Sequence, residues 1–217
     1  LIIFESKDSK VKNFKVNYEG QLSINPFDLK FEMKIDDYDL SKLLNPNTIL
    51  FEFIKTKLLF NKNIAVDSRI NFTPNKEKTI FDSAKINFNV INGKINFDQT
   101  ILINKKIGLL KLDNSNLFFK NDKLTLSTDI LIDIQSYENL FSFLQTNKQF
   151  RKPIKKIFIN LDYDFLSNQI EFKIFKIDDG KSSDAMIAII EEFNDNINNN
   201  LIRSRRIVNK LFSSYEG

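Results

Sequence analysis

Apolar and polar residues alternate along much of the chain, in segments that turn residues separate. From Phe14 to Ile24, nearly every even position is apolar and nearly every odd position is polar. A period of two residues is typical of a β-strand with one apolar and one polar face. The same period recurs in residues 29–35, 64–72, 86–90 and 157–165. These segments predict an extended antiparallel sheet, so the function depends on what covers its apolar face.

Turn-forming residues lie between the predicted strands, where reversals of the chain are expected. The clearest is Asn92-Gly93, which separates residues 86–90 from Ile95-Asn96-Phe97 and predicts a tight hairpin. The other turn pairs are Asn25-Pro26, Asn45-Pro46, Pro74-Asn75, Asn121-Asp122 and Ser167-Asn168. Their recurrence predicts a series of hairpins without a fixed repeat length.

Helical periodicity occurs in two places. Ser136 can cap a helix over residues 136–150, and Arg151-Lys152-Pro153 would end it. Near residue 180 the strand period stops, and Ser183 or Asp184 opens a second helical stretch.

The predicted fold is therefore mainly β. We expect an extended, curved antiparallel sheet, shaped as a groove or an open barrel, over residues 1–180, with one inserted helix at about residues 136–150. A helical tail is expected over residues 181–217, and the asparagine-rich residues 194–200 are expected to interrupt it because asparagine is a poor helix former.

The composition excludes several kinds of chemistry. The 217 residues include no His and no Cys, which removes Ser-His-Asp and Cys-His nucleophile systems, Cys/His zinc sites and disulfides. The 22 Phe against 5 Tyr supply apolar bulk without polar groups, which suits a lining better than a recognition pocket. We expect no enzyme activity, no metal and no cofactor.

The apolar sheet face is the first candidate site. It would either form a groove for acyl chains or fill the core of a sandwich or barrel, and the alternation alone favours the core. The shortage of segments that could cover so large a sheet favours the groove. Phe88 and Leu161 are expected to face the groove, and Asn87 to face outward. The candidate lipid-contacting residues are Val16, Tyr18, Leu22, Phe31, Met33, Val66, Ile70, Phe88, Phe97, Leu126, Ile159, Leu161, Phe172 and Ile174.

A basic cluster near the end of the chain is the second candidate site. Its residues are Arg203, Arg205, Arg206 and Lys210, which lie between Leu201-Ile202 and Leu211-Phe212. Cations that flank an apolar stripe are typical of segments that meet anionic lipid headgroups. The alternative is a solvated helix face whose cations suit the helix dipole.

Two other partners are weighed against the charge pattern. The net charge is only +4, with 32 Lys and Arg against 28 Asp and Glu, and no recognition motif is present, so we do not predict nucleic-acid binding. Asp36-Asp37 with Asp39, and Asp178-Asp179, lie beside turns, where aspartate bonds locally, and the calcium-loop pattern is missing.

From Ile107 to Leu117 the chain resembles the C-terminal region of the AsmA-like family of Gram-negative envelope proteins. Similar stretches follow at residues 124–134, at Phe143-Leu144-Gln145 leading to residues 151–157, and at residues 205–217. The resemblance covers about the second half of the chain and implies that Gly217 is a natural C-terminus. The start at Leu1 rather than Met indicates part of a longer protein.

The resemblance implies a bridge-like lipid transfer protein of the periplasm. An upstream segment would anchor it to the inner membrane, and phospholipid acyl chains would move along the apolar sheet face toward the outer membrane. Phospholipid is the implied partner, with the membrane surface or outer-membrane proteins as further candidates. The alternative that we keep is a non-enzymatic structural or assembly protein of the cell envelope that acts through protein contacts.

Overall fold

The computed structural model describes residues 1–11, 14–38, 54–74, 80–120, 123–178, 180, 182–196 and 201–215. Within these residues the fold is mainly β, with a helix inserted between strands and helices after the last strand, which confirms the predicted fold class. The strands are β1 (Ile2–Val11), β2 (Phe14–Ser23), β3 (Phe27–Tyr38), β4 (Ile64–Pro74), β5 (Ser83–Ile91), β6 (Lys94–Asn96), β7 (Ile101–Asn104), β8 (Gly108–Lys120), β9 (Lys123–Ile134), β10 (Lys156–Asp164) and β11 (Gln169–Ile177). The α-helices are α1 (Tyr137–Leu144), α2 (Asp184–Asn194) and α3 (Leu201–Ser213).

The chain divides into two compact units. The first unit comprises Leu1–Asn104 and Asn114–Phe118, and the second comprises Lys105–Asp113 and Phe119–Gly217. The boundary lies within β8, not near residue 180. The predicted division into a β domain over 1–180 and a separate tail over 181–217 is therefore corrected, because α2 and α3 pack into the core of the second unit.

The sheet of the first unit has the strand order β1-β2-β3-β4-β5-β6, with β7 also paired to β5. All of these pairs are antiparallel except β3 with β4, which are parallel. The prediction of a wholly antiparallel sheet is therefore wrong at this pair. The interval of residues 39–63 between the two strands is long enough for the crossover that a parallel pair requires.

The predicted turns fall where strands reverse. Asn92 and Gly93 have φ of 53° and 72°, so both lie in the left-handed region that a two-residue primed turn requires. Ile91 and Lys94 pair across this turn, which confirms the predicted hairpin. Asn25-Pro26 joins β2 to β3, and Ser167-Asn168 lies between β10 and β11. The predicted turns at Asn45-Pro46 and Asn121-Asp122, together with Asn75, Asp39 and Asp179, lie outside the described residues.

Capping residues begin the helices of the second unit as predicted. The Ser136 hydroxyl accepts a hydrogen bond from the Asn139 amide (3.2 Å), and the Ser183 hydroxyl accepts one from the Met186 amide (3.3 Å). The first helix is shorter than the predicted 136–150, because Gln145 takes a left-handed conformation with φ of 54°. A separate 3-10 helix follows at Lys148–Phe150.

The second unit has a packed core between its strands and its helices. Strands β9, β10 and β11 are antiparallel neighbours, and all three described α-helices contribute buried side chains to the same cluster. The buried residues of this cluster are Leu140, Phe141, Ile154, Ile157, Ile159, Leu161, Ile170, Phe172, Phe175, Ile177, Met186, Ile190, Ile207, Leu211 and Phe212. The apolar sheet face of this unit is therefore covered by the chain itself.

Candidate functional site

The strand registers of the first unit gather its apolar residues on one face. Residues that pair across neighbouring strands lie on the same side of a sheet, so the pairs form cross-strand rows from β2 to β5. The four rows are Val16-Ile35-Phe72-Ala84, Tyr18-Met33-Ile70-Ile86, Gly20-Phe31-Ser68-Phe88 and Leu22-Leu29-Val66-Val90. We call this surface the apolar face.

The apolar face collects the candidate residues that the sequence assigned to this part of the chain. Val16, Tyr18, Leu22, Phe31, Met33, Val66, Ile70 and Phe88 all lie in the four rows. Phe97 joins them, because its ring centroid is 5.4 Å from that of Phe88. The predicted facing is confirmed for these nine residues, while a lipid-contacting role stays a prediction.

The residues of the apolar face differ in burial. Val16 and Val66 are each only 6% exposed, whereas most of the other large side chains in the rows remain half-buried, among them Tyr18, Phe31 and Met33. Partial burial of this kind is expected when a side chain on a sheet contacts its neighbours on the same face while its end remains accessible. Phe72, Ala84 and Val90 on β4 and β5 are buried as well, so the half-buried part of the apolar face lies mainly on β2 and β3.

Gly20 shapes the middle of the apolar face. A Cβ on this residue would lie 2.5 Å from the backbone oxygen of Lys30, 2.6 Å from the ring of Phe4 and 2.8 Å from the Cβ of Phe31. The ring of Phe4, on the neighbouring strand β1, therefore occupies the space that a side chain at position 20 would fill. This arrangement extends the aromatic surface of the third row onto β1.

The size of the apolar face matches one acyl chain. From the first row to the fourth, a strand advances by six residue-to-residue steps, or about 20 Å at the usual rise of about 3.3 Å per residue. One leaflet of a bilayer, half of its roughly 30 Å hydrocarbon core, requires about 15 Å. An extended acyl chain could lie along the strands, and it would gain about 0.8 kcal/mol for each methylene that is fully buried.

In the second unit, helices cover the apolar sheet face. Ile159, Leu161 and Phe172 are 8%, 6% and 2% exposed and belong to the core between strands and helices. The ring of Phe172 lies 5.4 Å from that of Phe193 on α2. These three predicted groove residues are therefore core residues, because the helices fill the space that a lipid would need. Leu126, which pairs with Tyr163, is half-buried.

Ile174 lies on the opposite face from the one predicted. Leu161 pairs with Phe172, but its neighbour Asn160 pairs with Ile174, so β11 contains one extra residue at this point. Such a bulge reverses the facing of every residue beyond it. Ile174 is consequently 38% exposed, and Phe175 is fully buried in its place.

Asn87 lies on the polar face, as predicted, but it is only 8% exposed. Its side-chain amide donates hydrogen bonds to the backbone oxygens of Asp98 (3.3 Å) and Gln99 (3.1 Å), and its backbone amide donates to the Thr100 hydroxyl (3.1 Å). The expectation of an outward, solvent-exposed residue is therefore wrong, because the segment between β6 and β7 folds over it.

The polar face of the first unit is charged. Glu5, Glu19 and Glu32 lie directly opposite one another on β1, β2 and β3, and Arg69 on β4 ends the row with a 3.2 Å contact to Glu32. A cavity of about 450 Å³ opens beside this row, and Lys30 is among its lining residues. Mixed charges at an open surface make this face a solvated one.

The basic cluster lies on α3 in the second unit. Arg203, Arg205, Arg206 and Lys210 are all exposed, while three apolar residues of the same helix are buried. Ile207, Leu211 and Phe212 are 2%, 0% and 2% exposed. The predicted combination of cations with an accessible apolar stripe is therefore corrected for Leu211 and Phe212, which belong to the core, while the cations are accessible. The side chains of Leu201 and Ile202 lie outside the described part of the structure.

Burial and local contacts shift the pKa of Tyr215 and of Glu138 in the second unit, and they also raise the pKa of Tyr137 and of Tyr163. Burial raises the pKa of the Tyr215 phenol, and the nearby Asp178 carboxylate, 3.3 Å from the hydroxyl, raises it further. Hydrogen bonding to its own backbone amide, then to Tyr137 and to Ser136, lowers the pKa of Glu138 at the start of α1. Tyr215 and Glu138 serve local structure at helix and strand ends.

The described residues hold neither a cluster for a metal ion nor a helix that could span a membrane. They contain no group of three or more acidic side chains arranged to hold a metal ion. None of the helices within them is long and apolar enough to cross a membrane.

Comparisons with known proteins add no relative. No protein-family model, no curated protein and no solved structure matches the chain.

Proposed function

We propose that this chain is the C-terminal part of a periplasmic AsmA-like protein, and that it binds phospholipid acyl chains on the apolar face of its first unit while it carries them between the inner and outer membranes. The observation that carries the proposal is the half-buried state of a continuous apolar face. The resemblance of the second half of the chain to AsmA-like proteins supports the periplasmic location and the upstream inner-membrane anchor.

Under this proposal, the apolar face of the first unit binds the acyl chains. Acyl chains lie on the rows that contain Tyr18, Phe31 and Met33, and the headgroup stays in water beside them. Apolar contact alone provides the binding energy, so the lipid can slide along the face without a bond being made or broken. No catalytic residue is required.

Lipid extraction followed by mass spectrometry tests the proposal. Protein purified from a Gram-negative host is compared with a Phe31→Gln/Met33→Gln variant, in which two half-buried side chains of the apolar face become polar. The matched control is Glu32→Gln/Lys34→Gln, because these residues alternate with the first two on the same strand β3 and lie on its other face. Circular dichroism verifies that each variant is folded.

We expect phospholipid with the wild type and the control, and a loss of most of it from the apolar-face variant. A folded wild type that carries no phospholipid would contradict the proposal, as would equal retention in both variants. If the double variant does not fold, Met33→Gln alone provides the comparison, since the two side chains have similar length.

A structural or assembly role is the second candidate, and the second unit favours it. There the same two-residue alternation fills a core with the chain's own helices. In that case the apolar face of the first unit would bind a protein surface, and the extracted sample would contain a stoichiometric protein partner and no phospholipid.

A further inference from the structure

Two segments of the second unit carry cations and no acidic residue. Residues 139–161 include five cations, and residues 196–215 include four, with no Asp or Glu in either segment. The cations are Lys148, Arg151, Lys152, Lys155 and Lys156 in the first segment and Arg203, Arg205, Arg206 and Lys210 in the second. The segments are far apart in sequence, so only the fold can bring their charges together.

Hydrogen bonds hold these two segments side by side. Arg205 Nε and the Asn209 side-chain amide both donate to the backbone oxygen of Leu144, at 2.8 and 2.9 Å, at the C-terminal end of α1. The Thr146 hydroxyl donates to Asn209 Oδ1 (2.6 Å), and Lys152 Nζ donates to the backbone oxygen of Tyr215 (2.7 Å). The cations of α3 therefore lie beside those of the loop that follows α1.

Nearby acidic groups neutralise only part of this charge. Glu192 on α2 contacts Lys210 at 2.9 Å. Asp178 accepts hydrogen bonds from the backbone amides of Lys155 and Lys156 (2.7 and 2.8 Å). Glu138 lies at the other end of α1. We define the basic surface by five cations of the two segments: Lys148, Arg151, Lys152, Arg205 and Arg206.

An exposed aromatic residue adjoins the basic surface. Phe143 is 46% exposed, and it directly precedes Leu144, whose backbone oxygen accepts the bond from Arg205. Cations next to an exposed aromatic ring are typical of a surface that rests in the headgroup region of a membrane. Ile207, Leu211 and Phe212 of α3 are buried in the core, so these three residues provide no accessible apolar stripe for insertion.

We propose that the basic surface docks the second unit on an anionic phospholipid bilayer, with Phe143 entering the headgroup layer. The attachment is peripheral and mainly electrostatic, because cations such as the exposed Lys148, Arg205 and Arg206 provide it and one aromatic side chain supplements it. It is independent of acyl-chain binding, since its residues belong to the second unit and the apolar face belongs to the first. The described residues show no stacking series of exposed aromatics, which favours a bilayer over a nucleic acid.

Vesicle co-sedimentation tests the docking. The full chain is mixed with vesicles of phosphatidylcholine alone or of phosphatidylcholine with phosphatidylglycerol. The test variant is Lys148→Gln/Arg206→Gln, which removes one exposed cation from each segment. The control is Lys94→Gln/Lys123→Gln, which removes the same charge from exposed positions on β6 and β9.

We expect binding to the anionic vesicles only, and weaker binding at high salt because exposed charges are screened. The Lys148→Gln/Arg206→Gln variant should bind about 30-fold more weakly, since each cation near an anionic surface contributes about 1 kcal/mol, or about fivefold. The control should lose far less. Phe143→Ser should weaken binding further without changing its salt dependence.

Three results would overturn the docking proposal. The first is equal binding to both kinds of vesicle, and the second is equal loss in the test and control variants. The third is tighter binding to a labelled single-stranded or duplex DNA than to the anionic vesicles, which would assign the basic surface to nucleic acid. None of them affects lipid extraction from the first unit, so this proposal and the proposed function fail separately.

Discussion

Alanine substitutions at Phe175 and Ile174 provide a direct test of the bulge in β11. Phe175 is fully buried, with its ring 6.3 Å from that of Phe212, so its truncation should cost about 3–5 kcal/mol. Ile174 is 38% exposed and pairs with Asn160, so its truncation should cost no more than about 1 kcal/mol. The expected difference of about 2–4 kcal/mol corresponds to roughly 30-fold to 1,000-fold in the unfolding equilibrium.

Native-state hydrogen exchange is the suitable assay, because one global transition need not report on the second of two compact units. The free energy of opening is measured for amides of β10 and β11 in the wild type and in both variants. Without the bulge, strict alternation from Phe172 would place Ile174 in the core and Phe175 outside. A larger loss of protection for Ile174→Ala than for Phe175→Ala would therefore refute the register.

Three further predictions concern single sites. Asn87→Lys should destabilise the first unit by at least about 1–3 kcal/mol in urea unfolding, because two backbone oxygens lose their donor. Asn71→Lys, at an exposed position on the same face, should be nearly neutral. Equal effects of the two substitutions would contradict the burial of Asn87. Gly20→Ala should cost about 1–3 kcal/mol by thermal unfolding, since its Cβ would lie 2.5 Å from a backbone oxygen of β3, and a neutral result would contradict this contact. The raised pKa of Tyr215 beside Asp178 favours the neutral phenol in the folded state. Its contribution to stability is therefore complete below about pH 10 and is lost as pH rises through the raised pKa. In urea unfolding, Tyr215→Phe should lose less stability at alkaline pH than the wild type, and an identical pH profile would contradict this.

Local sequence signals were sufficient for several strands and for several boundaries, but β1 and β7 were not predicted. The two-residue period located β2, β3, β4, β5 and β10, because each has one face against apolar neighbours. Asn92-Gly93 identified its hairpin because both residues tolerate the left-handed conformation of a primed turn. Ser136 and Ser183 identified helix starts because a serine hydroxyl can accept a bond from the first turn of a helix.

Long-range features were not accessible from the same pattern. The bulge in β11 depends on how β10 pairs with it, so alternation placed Ile174 on the wrong face. The parallel pairing of β3 with β4 likewise depends on the path of the intervening chain. Asn87 looked like a solvent-facing strand residue because the loop that buries it follows ten residues later.

The candidate site likewise could be predicted only in part from the alternating pattern. Met33 and Leu161 have equivalent places in alternating segments, yet Met33 is half-buried and Leu161 is a core residue under helices. The alternation identifies an apolar face but not what covers it, because covering depends on helices elsewhere in the chain. The sequence analysis identified only the part of the basic surface on α3, because residues 148–152 of the other segment join α3 through the fold.

Site-specific photocrosslinking tests the central claim most directly, because it reports contact without removing the apolar surface. A benzophenone amino acid is placed at Met33, on the apolar face, or at Lys34, the next residue on the other side of β3. Each protein is irradiated in a Gram-negative host and analysed by mass spectrometry. We predict phospholipid adducts at Met33 and none at Lys34. Adducts at neither position, or equally at both, would contradict acyl-chain binding on the apolar face.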